Sequence, residues 1–333
     1  MKLAFFVLLL VTPALVGASR QPLDQAKGAE HIVATFSIVA RDPATGELGV
    51  AVQSRAFRAG AIVPYAKAGV GAVATQAAAN STYGPKGLAL LEQGVAPDEV
   101  VKRLTSEDEG RDTRQLAVID AQGHVKGYTG SKCNFWAGDR QGENYSVQGN
   151  ILAGPGVVDA MARAFETTKG ELAERMLAAL DAGQSQGGDA RGMQAGGILV
   201  VKPIEDPTQT TDRWVDIRVD DSPNPFKELR RLLNITTAGH QSQLSGRLAR
   251  EGKFADAIAA QKKAIALNPN DDQLVYGLAQ RYAQAGDRAA AVTALKEAIA
   301  RHAGWRDLAA RNPVFDTMKD DAAFKALIAK RAS

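Results

Sequence analysis

The chain has 333 residues, 45% of them hydrophobic and 23% charged, a balance that suits two ordinary globular cores and excludes a disordered or fibrous protein. A formal net charge of +3, with no run of five Lys or Arg, leaves no electrostatic footprint for nucleic acid, so no such partner is expected. Cys133 is the single cysteine, which excludes an intramolecular disulfide, and the four histidines (His31, His124, His240, His302) are scattered without ligand spacing, so no metal site is expected.

In chain order, Lys2 precedes an apolar run from Leu3 to Val16, and Val16-Gly17-Ala18 supplies small residues at a cleavage position. Residues 1–18 therefore read as a secretory signal peptide removed before Ser19. The run falls short of the roughly 20 apolar residues needed to span a bilayer, and no second run is long enough, so no stable membrane span is expected. The expected location is periplasmic or secreted. Residues 19–34 then form a propeptide or N-terminal extension.

From Thr35 the pattern becomes strand-like. Thr35–Arg41 and Leu48–Ser54 flank Asp42-Pro43-Ala44-Thr45-Gly46, which is turn chemistry, and predict a hairpin. Val70–Ala78 is a strand of small residues that cannot fill space alone, which predicts a sheet covered on both faces. Helices are predicted over Pro85–Gln93 and Pro97–Leu104, each opened by a proline. Gln115–Asp120 and His124–Thr129 form a second hairpin, and Tyr145–Leu152 a further strand. Val157–Phe165 and Glu171–Ala182 carry helical apolar spacing. A Gly-rich loop (183–192) then leads to closing strands at Gly196–Val201 and Trp214–Val219. Strands, helices, strands, helices, strands is the order of an α+β layered domain rather than of strict βαβ alternation.

Near Pro225 the texture changes. Phe226–Leu233 reads as a helix and Asn234–His240 as a polar linker, after which every segment is helix-forming. Gly252, Ala257 and Ala264 recur 34 positions later as Gly286, Ala291 and Ala298, the period of the tetratricopeptide repeat; Phe254 alone meets an unlike partner, Arg288. Small residues at those positions let paired helices approach closely. Two units are too few to stand alone, so the preceding helix and Asp320–Lys330 are expected to cap them. The division is thus a layered domain over 35–233, a linker over 234–240 and helical repeats over 241–333, the repeats offering a surface for a protein partner.

The first domain has no metal motif, phosphate loop or dinucleotide fingerprint, and the glycines at 183–192 follow a helix instead of joining strand to helix, so no cofactor is expected. What remains are uncharged polar residues on small-residue strands: Thr35, Ser37, Gln53, Ser54, Thr75, Gln76, Asn80, Gln148 and Asn150. One hydroxyl on a strand is ordinarily structural. Hydroxyls and amides gathered at strand ends can make a nucleophile and an oxyanion site.

Four segments carry a resemblance: Thr-Phe-Ser-Ile-Val-Ala-Arg-Asp-Pro (35–43), Gly-Val-Ala-Val-Gln-Ser-Arg (49–55), Ala-Gly-Val-Gly-Ala-Val-Ala-Thr-Gln (68–76) and Val-Gln-Gly-Asn-Ile-Leu-Ala-Gly-Pro (147–155). Together with Trp214–Leu232 they resemble a bacterial and archaeal family catalogued as a domain of unknown function and grouped by fold with the N-terminal nucleophile (Ntn) hydrolases. The resemblance implies a four-layer αββα sandwich over 35–233. It also implies hydrolysis of an amide bond in a small-molecule or peptide substrate, with Thr35 at the position of the nucleophile. In such enzymes the freed α-amine of that residue takes the proton, and its reference pKa of about 7.7–8.0 suits the task. Asn150 is the candidate oxyanion donor, with a turn or cap role as its alternative. Ser37, Ser54, Arg55, Gln76 and Asn80 are the candidate substrate-binding residues. Family members often begin with Met directly before this Thr, whereas here Ser19–Ala34 would remain after signal cleavage. Either Ala34–Thr35 is also cut, by the Thr35 hydroxyl itself, or the chain does not use this chemistry and is a non-catalytic ligand-binding or scaffold protein. Ntn-fold domains frequently associate, so a homo-oligomer is a further expectation.

Overall fold

The computed structural model describes residues 35–133, 135–204 and 210–329. The expected signal peptide (1–18) and extension (19–34) lie outside the described residues. β1 (Thr35–Arg41) and β2 (Leu48–Ser54) form the first hairpin. Its turn is set by Asp42, whose Oδ1 accepts from the Ala44 and Thr45 amides at 2.8 and 3.3 Å, and by Gly46 at φ +71°. There follow α1 (Ala59–Ile62), β3 (Pro64–Lys67), β4 (Gly71–Ala77), α2 (Tyr83–Glu92), α3 (Pro97–Ser106), β5 (Arg114–Asp120), β6 (Val125–Thr129), β7 (Trp136–Gly142) and β8 (Tyr145–Leu152). Next come α4 (Gly156–Thr167), α5 (Leu172–Ser185), β9 (Ala195–Val201) and β10 (Arg213–Val219).

The strands build two antiparallel sheets, one of six in the order β10-β9-β2-β1-β8-β7 and one of four in the order β3-β4-β5-β6. Period-2 alternation sorts their side chains into three layers. Phe36, Ile38, Ala40, Tyr145 and Val147 of the larger sheet bury against Met161, Phe165, Met176 and Leu180 of α4 and α5. Val73, Leu116 and Val118 of the smaller sheet bury against Leu91, Val100 and Leu104 of α2 and α3. Between the sheets, Val39, Val50 and Val52 meet Ala72, Ala74, Ala117 and Ile119. The small residues of β4 thus face a neighbour on each side, as their sizes require. Burial of each Val or Ile in this middle layer contributes roughly 1.5–3 kcal/mol, which anchors one end of the space between the sheets.

α1, β3 and β7 have no counterpart in the sequence reading. The first two are four residues each, and β3 opens on a proline. β7 is an edge strand (Trp-Ala-Gly-Asp-Arg-Gln-Gly) with no buried face, so it shows no apolar alternation to detect.

The linker expected over 234–240 is a correction: α6 runs unbroken from Pro225 to Arg250. Asn224 caps it by accepting from the Lys227 amide at 3.1 Å, and Pro225 stands in its first turn. Residues 234–240 hold no proline, Thr237 is buried in helical register with Leu229 and Leu233, and Ala238 is buried on another face against Ala264 and Leu274, so packing carries the helix through a polar stretch. α7 (Phe254–Leu267), α8 (Asp272–Gln284), α9 (Arg288–Arg301), α10 (Trp305–Arg311) and α11 (Ala322–Ile328) complete the chain. Ala257, Ala264, Ala291 and Ala298 are all fully buried, while Gly252 and Gly286 stand at φ +76° and +80° in the turns between paired helices. Phe324, within the segment expected as a cap, closes the far end together with Phe315 and Met318, which precede that segment. The described residues all fall in one compact unit. No described helix is long and apolar enough to cross a membrane.

Candidate functional site

The same alternation that gives an apolar layer at one end of the intersheet space makes it polar at the other. β1 pairs with β2 and β8 so that Thr35 stands opposite Ser54 and Asn150, and Ser37 opposite Gln148. On the facing sheet Gln76 stands opposite Gln115. All of these residues are buried to 1% exposure or less.

Their polar atoms are joined across the gap. Thr35 Oγ1 lies 3.0 Å from Ser54 Oγ. Ser37 Oγ donates to Gln76 Oε1 at 2.7 Å and accepts from Gln148 Nε2 at 2.6 Å. Gln76 Nε2 donates to Gln115 Oε1 at 2.8 Å and to the Thr35 carbonyl at 3.3 Å. Asn150 Nδ2 reaches the same two acceptors, at 3.0 Å for Gln115 and 3.5 Å for Thr35. Gln115 Nε2 in turn donates to the Gly149 carbonyl at 2.8 Å and to Thr129 Oγ1 at 2.9 Å. Such a network is worth keeping only when its members are satisfied, and these are. Gln53, on the opposite face of β2, contrasts with them: its Oε1 and Nε2 are buried without a partner.

Backbone strain marks the same end. Ala77 and Ile151, immediately after Gln76 and Asn150, have φ +64° and +52°. A left-handed conformation costs a non-glycine residue about 1–3 kcal/mol and is rarest for a β-branched one. Two such residues, one on each sheet, re-aim the chain where the polar network ends.

The Gly-rich loop closes over this end. Ala190 N donates to the Ile151 carbonyl and Gln194 N to the Ser54 carbonyl, both at 3.1 Å. Just before them Asp189, 2% exposed, accepts from the Arg55 amide at 2.9 Å and pairs with the Arg191 guanidinium at 3.0 Å. The glycines at 183–192 therefore shape a cover for the Thr35 end of the sheets.

The structure brings Thr35, Ser37, Ser54, Gln76 and Asn150 into one network and leaves two predicted residues out of it. The Arg55 side chain is exposed, and only its backbone touches the Asp189 carboxylate. Asn80 belongs to a separate hub, donating at 3.0 Å to Asp108, which also accepts from Tyr83 Oη at 2.8 Å and Arg114 Nε at 3.0 Å. The Arg114 bond holds the Asp108 carboxyl well below the usual carboxylate range, while burial and then the Asp108 acceptor push the Tyr83 phenol up. Gln115 and Asp189 were not singled out from the sequence. Gln115 could have been found by parity with Ala117 and Ile119 on the inward face of β5, whereas nothing local marks Asp189. Cys133 is partly buried, and burial pushes its thiol up, away from nucleophile chemistry. No cluster of three His, Cys, Asp or Glu able to hold a metal ion occurs among the described residues.

Residues 35–229 match the model of a family of unknown function, DUF1028, and residues 252–324 match a tetratricopeptide repeat. The crystal structure of protein SPO2555 from Silicibacter pomeroyi, itself assigned to DUF1028, is 32% identical, with a TM-score of 0.55 over 61% of this chain and 89% of that one. No curated protein matches the chain.

Proposed function

We propose that this chain, which belongs to the DUF1028 family, is an exported Ntn-type hydrolase that cleaves an amide bond, with Thr35 as the nucleophile once Ala34–Thr35 has been cut. The observation that carries the reading is the place of Thr35: the start of β1, on the inward face, with its hydroxyl 3.0 Å from Ser54. Two antiparallel sheets with a helix pair on each outer face support the reading without being specific to it, and the strained residues beside Gln76 and Asn150 fall at the same end. In the intact chain the Thr35 nitrogen is an amide and cannot accept a proton. After cleavage, the α-amine takes the hydroxyl proton as Oγ1 bonds to the substrate carbonyl carbon. The tetrahedral oxyanion then collapses, the amine leaves with that proton, and water hydrolyses the Thr35 ester. Asn150 is proposed to turn its carboxamide from the Thr35 carbonyl to the oxyanion. Secretion to the periplasm or medium supplies the setting, and the repeats hold a protein partner.

One observation favours a second reading, a non-catalytic scaffold: Thr35 is wholly buried and its network is already satisfied from within. N-terminal sequencing of protein recovered from an exporting host separates the two. The hydrolase reading expects a mature chain beginning at Thr35. It also expects activity on a panel of acyl amides that Thr35→Val abolishes, by several orders of magnitude, and that Thr35→Ser partly keeps. The valine removes one hydrogen bond at nearly constant volume, so stability should fall by only about 1 kcal/mol. A mature chain that begins at Ser19, with wild type and Thr35→Val equally inert, establishes the scaffold.

A further inference from the structure

Away from the polar network, β10 and the second half of α6 border a half-open cleft of about 570 Å3, within the several-hundred Å3 range of small-molecule sites. Arg213 and Trp214 line it from the sheet, and His240, Gln243, Arg247 and Arg250 from the helix. Among the described residues that line it there is no Asp or Glu. Arg213 is paired with Asp216, whereas Arg247 and Arg250 make no ion pair among the described residues. A further guanidinium stands close by: Arg281 of α8 donates to Ser245 at 3.2 Å and lies beside Gly246. The aromatic part of the wall is neutral. His240 stacks on Trp214 with ring centroids 3.6 Å apart, and burial pushes its imidazole down to about 4.

Arginines in a last helical turn complement the helix dipole whatever else they do. That role explains Arg247 and Arg250 singly. It does not explain the cleft beside them, nor the convergence on it of Arg247, Arg250 and the neighbouring Arg281. Like charges gathered in this way repel until an anion sits among them, and planar guanidinium forks match phosphate and carboxylate oxygens.

We propose that the cleft between β10 and α6 binds a small polyanion bearing phosphate or carboxylate groups, gripped by Arg247 and Arg250 with Arg213 opposite. The site is independent of the hydrolase reading. Because its walls come from both the sheet and α6, occupancy should hold the two together. The melting temperature of the full chain should rise by about 5 °C at a hundredfold excess over Kd.

Calorimetric titration of the full chain at low ionic strength with pyrophosphate and with citrate tests this. At least one should bind saturably at one site per chain; pyrophosphate alone identifies a phosphate ligand, citrate alone a carboxylate. Arg247→Gln and Arg250→Gln should each weaken binding roughly tenfold or more. Arg231→Gln, on the same helix but paired with Glu228, should leave it unchanged. Both pocket arginines are exposed, so the variants should keep the wild-type circular dichroism. Arg247→Lys/Arg250→Lys, which keeps the charge but loses the forks, gives a second readout and should also bind more weakly. Absence of saturable binding by either anion overturns the proposal. So does binding that survives the Arg247→Gln/Arg250→Gln pair.

Discussion

Replacing Gln76 by leucine keeps nearly the volume of the side chain and deletes its amide, which isolates the energetic role of the network between the sheets. The Ser37 hydroxyl then loses its acceptor at 2.7 Å, although it still accepts from Gln148. Gln115 Oε1 keeps Asn150 as a donor at 3.0 Å, and the Thr35 carbonyl keeps the same group at 3.5 Å. One buried donor is therefore orphaned outright, at about 1–3 kcal/mol, and one acceptor is weakened. Gln76→Leu should cost about 2–3 kcal/mol, and Gln76→Ala about 1–2 kcal/mol more for the space it empties. Ser37→Ala orphans Gln76 Oε1 and Gln148 Nε2 instead. In the double variant only Gln148 remains without its partner, so the two losses should fall short of adding by about 1–2 kcal/mol. Equilibrium urea unfolding measures this. Trp136 and Trp214 report the sheets and Trp305 the repeats, and the two signals are fitted separately because a chain of this size need not unfold in one step. Additive losses, or a Gln76→Leu cost below about 0.5 kcal/mol, would falsify the claim that the network is satisfied and stabilising.

Two further outcomes follow from the geometry. Asp108 has its folded-state pKa held below the unfolded value, chiefly by Arg114, so its contribution is complete above the unfolded pKa of about 4 and is lost as pH falls toward the folded one. Asp108→Asn should thus lower the melting temperature near neutrality, with the gap to wild type closing below about pH 4; a gap that stays constant through the acid limb would sink that assignment. A chain ending at Leu233 loses the His240 ring from the face of Trp214 but keeps Leu229 and Leu233 in the core under the larger sheet. It should remain folded yet melt a few degrees lower, from the roughly 1 kcal/mol of a stacked pair, and an unchanged melting temperature would show that α6 beyond Leu233 contributes nothing to the sheets.

Much of this architecture was legible because its signals are local and periodic. Strand alternation locates β1, β2, β5 and β8 to within a residue, and the recurrence of Gly252, Ala257 and Ala264 marks the paired helices. What escaped depends on neighbours. β7 lies at an edge, so half-exposed polar residues suffice there. The α6 stretch over 234–240 is polar by composition, yet Thr237 lies in register with Leu233 and Ala238 is buried against the repeats, and tertiary burial outweighs its weak propensity. The candidate site divides in the same way. Thr35, Ser37, Ser54 and Asn150 share one parity on paired strands and so converge, and Gln76 meets them from the inward face of the other sheet. Asn80 and Arg55 lie just beyond strand ends, where parity no longer says which way a side chain turns, and both turn elsewhere.

The continuity of α6 changes what a two-part chain means. A flexible linker would let sandwich and repeats act independently. Here one 26-residue helix buries Leu229 and Leu233 against the larger sheet and, a turn later, Ala238 against Ala264 and Leu274 of the repeats. A force on the repeat end of such a helix cannot be relieved at a hinge within it, because an unbroken ladder of hydrogen bonds leaves no soft dihedral. It passes instead to the sheet, at β10 and its neighbour β9, which pairs with β2 and so ends beside Ser54 and Thr35. Occupancy of the repeats or of the arginine-lined cleft would reach the polar network along this path only if some element on it has two arrangements. The strained Ile151, whose left-handed backbone already stores energy, and the loop bonded to it are where a second arrangement would release strain.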